Sequence, residues 1–177
     1  SMLGALHIAA NDGSISILSV LLDHDNNSSI DFISGDRKAA LWYAARRQRF
    51  DAAEMLLRRG AAIRSLEETE SEFLFTAIQN DRKVLVQLLL DAGANEYQRN
   101  PDGLTLLHIA AKAQNMAVLN HLLSDRGLDV DMKDNNEQSA LHLAVASGLR
   151  DVASCLLTYG ADVHASGNKG ETALHAA

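Results

Sequence analysis

The sequence predicts an all-α fold, a stack of short antiparallel helix pairs repeated along the chain. Three observations predict it. First, a Leu with an Ala three residues later recurs at Leu6/Ala9, Leu41/Ala44, Leu74/Ala77, Leu107/Ala110, Leu141/Ala144 and Leu174/Ala177, with successive leucines 35, 33, 33, 34 and 33 residues apart by subtraction. A fixed period near 33 marks a stacked repeat array. Second, a Leu–Leu pair follows fifteen and sixteen residues after each of the first five key leucines, at Leu21-Leu22, Leu56-Leu57, Leu89-Leu90, Leu122-Leu123 and Leu156-Leu157. Third, the fullest unit, from Asn100 to Gly127, splits into two apolar stretches of helical spacing around Gln114-Asn115, each too short to be stable alone in water. Pairing and stacking buries one continuous core, and small alanines let neighbouring helices approach closely.

The units run over about residues 1–33, 34–66, 67–99, 100–133, 134–166 and a partial 167–177, read as a single array spanning 1–177. Repeat 1 carries two extra residues in Asp23–Ser29, after its second helix, where a longer loop costs little. Repeat 2 departs furthest from the common pattern, with Ala39, Ala40 and Trp42 where repeat 4 has Thr105, Leu106 and His108. Repeat 3 opens on Glu67-Glu68-Thr69-Glu70-Ser71-Glu72, expected as a solvated acidic hairpin, and puts Phe75 at the histidine position. Repeats 4 and 5 are the regular ones. Repeat 4 holds one inserted residue near Ser124-Asp125-Arg126-Gly127. The sixth unit stops in mid-helix at Ala177 with no polar cap, as in a slice of something longer.

Gly103-Leu104-Thr105-Leu106-Leu107-His108-Ile109-Ala110-Ala111 and Gly170-Glu171-Thr172-Ala173-Leu174-His175 carry a resemblance to the ankyrin repeat. Its pattern runs D-x-x-G-x-T-P-L-H-x-A-A, then a second helix ending in leucines and a G-A-D-V-N turn. Gly60-Ala61, Gly93-Ala94 and Gly160-Ala161-Asp162-Val163 match that turn. The resemblance covers the whole chain. It implies hairpin loops between the helix pairs, and a binding rather than a catalytic role. It further implies that the shared histidine, here His7, His108, His142 and His175, bonds to neighbouring turn groups.

An apolar content of 47% excludes a disordered chain, and no apolar run approaches the ~18 residues of a membrane span. The formal charge of −7 argues against nucleic acid as partner. The charge is unevenly spread. Residues 36–64 hold eight cations against three anions, a local +5 that leaves −12 elsewhere. Cys155 is the one cysteine, so no internal disulfide forms and an intracellular, cytoplasmic or nuclear, setting is expected. Its place beside Leu156-Leu157 reads as core. The repeated histidines stand about one repeat apart, too far to share one ion. No GxSxG, P-loop, GxGxxG or HExxH motif occurs. No enzyme activity, cofactor or metal is expected.

In the ankyrin family the hairpin tips and the exposed end of the first helix face partners, on the concave side. The helix positions here include Arg46, Arg47, Gln79, Asn80 and Lys112. Trp and Arg dominate interface hot spots, so Trp42 with Lys38, Arg46, Arg47 and Arg49 is the first choice. The expected ligand is an acidic protein or peptide with an apolar anchor. Two readings of Trp42 remain open at this stage: a contact residue, or a filler beside Phe75. Two alternatives to a plain binding module also stand. The chain could be the targeting part of a larger enzyme, such as a ubiquitin ligase subunit or effector, or the cytoplasmic array of a membrane channel.

Overall fold

Short helices dominate because each unit breaks its own helix after two or three turns. The computed structural model describes residues 4–167, 170 and 172, the side chains of residues 67 and 68 excepted. Its α-helices are α1 (Ala5–Asp12), α2 (Ile15–His24), α3 (Ala40–Arg46), α4 (Phe50–Arg58), α5 (Glu70–Gln79), α6 (Lys83–Asp91), α7 (Leu106–Lys112), α8 (Met116–Asn120), α9 (Ala140–Ala146) and α10 (Arg150–Thr158). Among the described residues there is no strand, only isolated antiparallel bridges at Arg99–Thr105, Lys133–Ser139 and Ser166–Thr172, the first two closing the turns before α7 and α9.

The chain divides into two compact units, one of residues up to Ala77 with Val84–Asn95, the other of Ile78–Lys83 with residues from Glu96 on. In the first, α1 packs on α2 and α3, and α4 on α2 and α3. The key positions Leu41, Leu56, Leu74 and Leu89 are fully buried, as are Ala10, Ala44 and Ala77. Helix α1 stops at Gly13, whose φ of 77° is left-handed, and the amides of Gly13 and Ser14 return to the carbonyls of Ala10 and Ala9. The two residues added to repeat 1 fall in the turn after α2. There Asn26 and Asn27 adopt φ of 53° and 63°, a region asparagine enters more readily than most residues.

One element differs from the sequence reading. Residues Ile63–Thr69 form a 3-10 helix that runs into α5 at Glu70, so no hairpin opens repeat 3. The reason lies in the buried side of this segment. Leu66 is fully buried, and Thr69, also buried, donates its hydroxyl to the Leu66 carbonyl at 2.6 Å. At the surface, Glu70 Oε1 accepts the Asn95 amide at 3.2 Å.

In the second unit α7 packs on α8 and α9, and α9 on α10. Asn115 joins two segments: its Oδ1 accepts the Val118 amide and caps α8, while its Nδ2 donates to the Ile78 carbonyl, both at 3.0 Å. The residue inserted in repeat 4 is taken up by a π-helical turn, His121–Asp125, that continues α8. Leu122 and Leu123 remain buried through it. Gly103 is required where it stands: its φ is 80°, and a Cβ would lie 2.0 Å from the Asn135 side chain. Cys155 is half-buried, beside the Asn120 side chain at 3.5 Å, and so is not the core residue its neighbours suggested; partial burial raises its thiol pKa.

Candidate protein-binding site

The regular repeats show how a first helix is fixed. Thr105 and His108 are both fully buried. His108 Nε2 lies 3.0 Å from the Gln138 carbonyl, which can only accept, so Nε2 carries the hydrogen. Nδ1 therefore accepts the Thr105 hydroxyl at 2.8 Å. One neutral imidazole thus ties the start of α7 to the turn before α9. Burial holds the His108 pKa below its ordinary value. Half of the arrangement recurs at α9, where the Ser139 hydroxyl meets His142 Nδ1 at 2.9 Å and the buried His142 Nε2 has no partner among the described residues. His7 keeps the other half. Its Nε2 donates to the Phe32 carbonyl at 2.8 Å, but Gly4 stands at the hydroxyl position and the buried Nδ1 meets no partner among the described residues.

Repeat 2 has neither the hydroxyl nor the histidine, and a different construction takes their place. Trp42 is half-buried and meets the Tyr43 ring edge-on, with centroids 5.1 Å apart. Lys38 Nζ stands over the Trp42 ring at 5.2 Å and the Arg46 guanidinium at 5.7 Å. Both distances lie within cation–π range. Among the described residues these three side chains meet the Trp42 ring, while Phe50 stacks on Phe73 at 5.9 Å and Phe75 is buried. The Trp42 Nε1–H is buried without an acceptor among the described residues.

The arginines after Trp42 separate into two kinds. Arg46 is exposed and lies on the indole. Arg47 and Arg49, though exposed, reach back to α1: Arg47 Nε donates to Asn11 Oδ1 at 3.2 Å and Arg49 Nε to the Asn11 carbonyl at 3.1 Å. The Arg49 stem passes so close to Gly13 that a Cβ there would meet its Cδ at 3.0 Å. Arg49 therefore satisfies a carbonyl in the last turn of α1, where a cation is favoured. Arg59 pairs similarly with Asp23 at 2.7 Å. Much of the basic excess of repeat 2 is spent on the acidic first repeat, and Lys38 and Arg46 are the cations that Trp42 gathers.

Beside Arg46 a cavity of about 30 Å³ opens among Ala45, Gln48, Thr69, Glu72, Phe73 and Thr76. That volume holds a water molecule rather than a side chain. In the second unit Gln79, Asn80 and Lys112 are exposed at helix ends equivalent to Arg46 and Arg47. Sequence reasoning missed Tyr43, whose hydroxyl donates to the Asp36 carboxylate at 2.7 Å. The available signal was a tyrosine two residues after a key leucine, where repeats 1 and 4 carry Ile8 and Ile109.

Stacked helix pairs, shared buried histidines and an exposed cluster of aromatic and basic side chains define a repeat scaffold that presents surface to other proteins. The comparisons identify the kind of repeat. The profile described as "Ankyrin repeats (3 copies)" matches residues 3–67 and 113–177, and the chain belongs to the ankyrin repeat family. Ankyrin repeats are protein–protein interaction modules. The chain is 30% identical over 166 residues to the nuclear factor NF-kappa-B p105 subunit of Gallus gallus, covering 91% of this chain and 17% of that protein. It is 33% identical over 100 residues to the E3 ubiquitin-protein ligase KEG of Arabidopsis thaliana, covering 56% of this chain and 6% of that protein. The ankyrin repeat domain of Bcl-3 superposes with a TM-score of 0.72 at 27% identity, covering 98% of this chain and 79% of that one. The chain therefore spans under a fifth of the length of these two curated relatives. Among the described residues no helix is long and apolar enough to cross a membrane.

Proposed function

We propose that this chain is a non-enzymatic module that binds an acidic protein or peptide segment on the concave, first-helix side of repeat 2, centred on Trp42, Lys38 and Arg46. The observation that supports this reading is the gathering of two cations over one half-buried indole. A guanidinium already stacked on an aromatic face loses little further freedom when it forks onto a carboxylate. Arg47 lies next to Arg46 at the exposed end of α3 and adds a second donor at the rim, while Arg49 supports the surface from below through α1. The neighbouring cavity is too small for a side chain, so an apolar group of the ligand packs against the Trp42 edge instead of entering a pocket. Gln79, Asn80 and Lys112 are secondary candidates on the second unit.

A rim arginine contributes a few tenths of a kcal/mol, whereas one desolvated beside an aromatic anchor costs ~2 kcal/mol when truncated. The test is affinity capture of a partner with this chain, then titration of that partner against Arg46→Ala/Arg47→Ala and, separately, Lys112→Ala. A large, partly salt-resistant loss from the arginine pair alone is the expected result. Equal small losses would move the site to repeats 4 and 5. The likeness to a ubiquitin ligase favours a second reading, in which these repeats recruit substrate for a larger enzyme. A catalytic domain in the same polypeptide would establish that reading.

A further inference from the structure

We infer that Tyr43 and Asp36 are the positioning residues of the Trp42 surface, doing for repeat 2 what the hydroxyl–histidine pair does for repeats 4 and 5. The inference rests on the reading of that surface as the contact site.

The turn Ser34–Lys38 leads into α3 and is closed by the Ser34 amide on the Lys38 carbonyl at 2.9 Å and the Arg37 amide on the Ser34 carbonyl at 2.9 Å. The Ser34 hydroxyl lies against the Asp36 carboxylate and 2.9 Å from the same Lys38 carbonyl. Lys38 is thus held at its backbone from two directions. The Tyr43 hydroxyl donates to the Asp36 carboxylate, 2.7 Å from either oxygen. Tyr43 is itself buried, with the His7 ring edge-on at 5.7 Å and the Trp42 ring edge-on on its other neighbour side at 5.1 Å. A single side chain therefore fixes the turn that carries Lys38 and braces the ring over which Lys38 stands.

Nothing else described in repeat 2 does this. Ala39 offers no hydroxyl and Trp42 accepts no proton, so the bond that starts α7 and α9 has no counterpart here. Without the Tyr43–Asp36 bond, the backbone ties of Ser34 still close the turn, but its link to α3 shrinks to the longer hydroxyl contact of Ser34 with Tyr43 at 3.2 Å. Lys38 then leaves the indole more often, and the acidic ligand meets a surface that must first be ordered.

Trp42 is the only tryptophan, so its fluorescence reports on the site without a partner. Tyr43→Phe keeps the ring and removes the hydroxyl; Asp36→Ala removes both carboxylate acceptors and is the second variant. Ser139→Ala, which loses the α9 hydroxyl, is the control for general loosening. The probe is a synthetic peptide of glutamates around one phenylalanine. Both variants are expected to shift Trp42 emission and raise its quenching by acrylamide, with helical circular dichroism unchanged, and to weaken the peptide by about tenfold. The control should move neither. Trp42 emission and quenching identical to the parent in both variants would overturn the positioning role, whatever the peptide does. A shifted signature with no peptide binding even to the parent would uphold the positioning of Lys38 and Trp42 and overturn the acidic-ligand reading instead.

Discussion

The turns that enter α3 and α7 stand at the same place in two repeats, yet they are closed by opposite chemistry. At α7 the closing group is a neutral imidazole, buried completely with its hydroxyl partner and reaching to the Gln138 carbonyl. At α3 it is an exposed carboxylate that gathers two hydroxyls, from Ser34 and Tyr43. Burial makes the first arrangement the more valuable one to stability, because an orphaned group there has no water to turn to. Exposure makes the second the cheaper one to alter, and it leaves an indole at the surface.

The largest expected effect tests the buried side of this comparison. His108→Ala leaves a hole and unpairs both Thr105 and Gln138, so urea unfolding should show a loss of about 3 kcal/mol. A loss no greater than that of Tyr43→Phe would break the distinction. Next comes a gain. Gly4 has an extended backbone, and a Cβ there would sit 3.2 Å from the unpartnered His7 Nδ1. Gly4→Thr should supply the missing hydroxyl and raise stability by about 1 kcal/mol; no rise would show that the geometry of repeat 1 cannot accept it.

A third effect separates the two turns by pH. His108 has a folded pKa below its unfolded value near 6.5, with burial the main cause. The unfolded chain then binds the proton first, so the contribution is complete above 6.5 and is lost as pH falls below it. Asp36 is also depressed, chiefly by the Ser34 hydroxyl and then by Tyr43, so its contribution is present above the unfolded value of 3.8 and disappears only below it. Denaturation midpoints between pH 7 and 5 should fall in the parent and flatten in His108→Gln, while Asp36→Asn should leave that slope unchanged. The smallest effect belongs to Arg47→Ala, whose bond to Asn11 is exposed and should cost under ~0.5 kcal/mol in the same assay.

Much of this was legible in the residues. The key leucines, the Leu–Leu pairs and the Thr105–His108 unit recur in phase, and a repeated pattern fixes helix pairs because each copy must bury the same face. Two features were visible without their consequence. The extra residue of repeat 4 showed in the spacing, but not that a π turn would absorb it. The aromatic at position 42 was plain, whereas its cations could be assigned only once Arg49 and Arg47 were seen to turn toward α1. Other features left no pattern at all. The Tyr43–Asp36 bond spans seven positions across an irregular turn and the first turn of α3, a separation with no periodic meaning. The hairpin expected at 67–72 was read from the repeat pattern, while the buried Leu66 and Thr69 decided the backbone.

The π turn at His121–Asp125 has a consequence for how such a chain tolerates change. An α-helix lengthened by one residue rotates everything after it by about 100 degrees, which would turn the buried Leu128 away from the core. Here the surplus is confined to one widened loop of backbone, and the next first helix begins with its Ser139 and His142 already in place. The outer helix works as a slack length of chain: spelling errors in its residue count are absorbed where they occur, and the address of every later surface position is preserved.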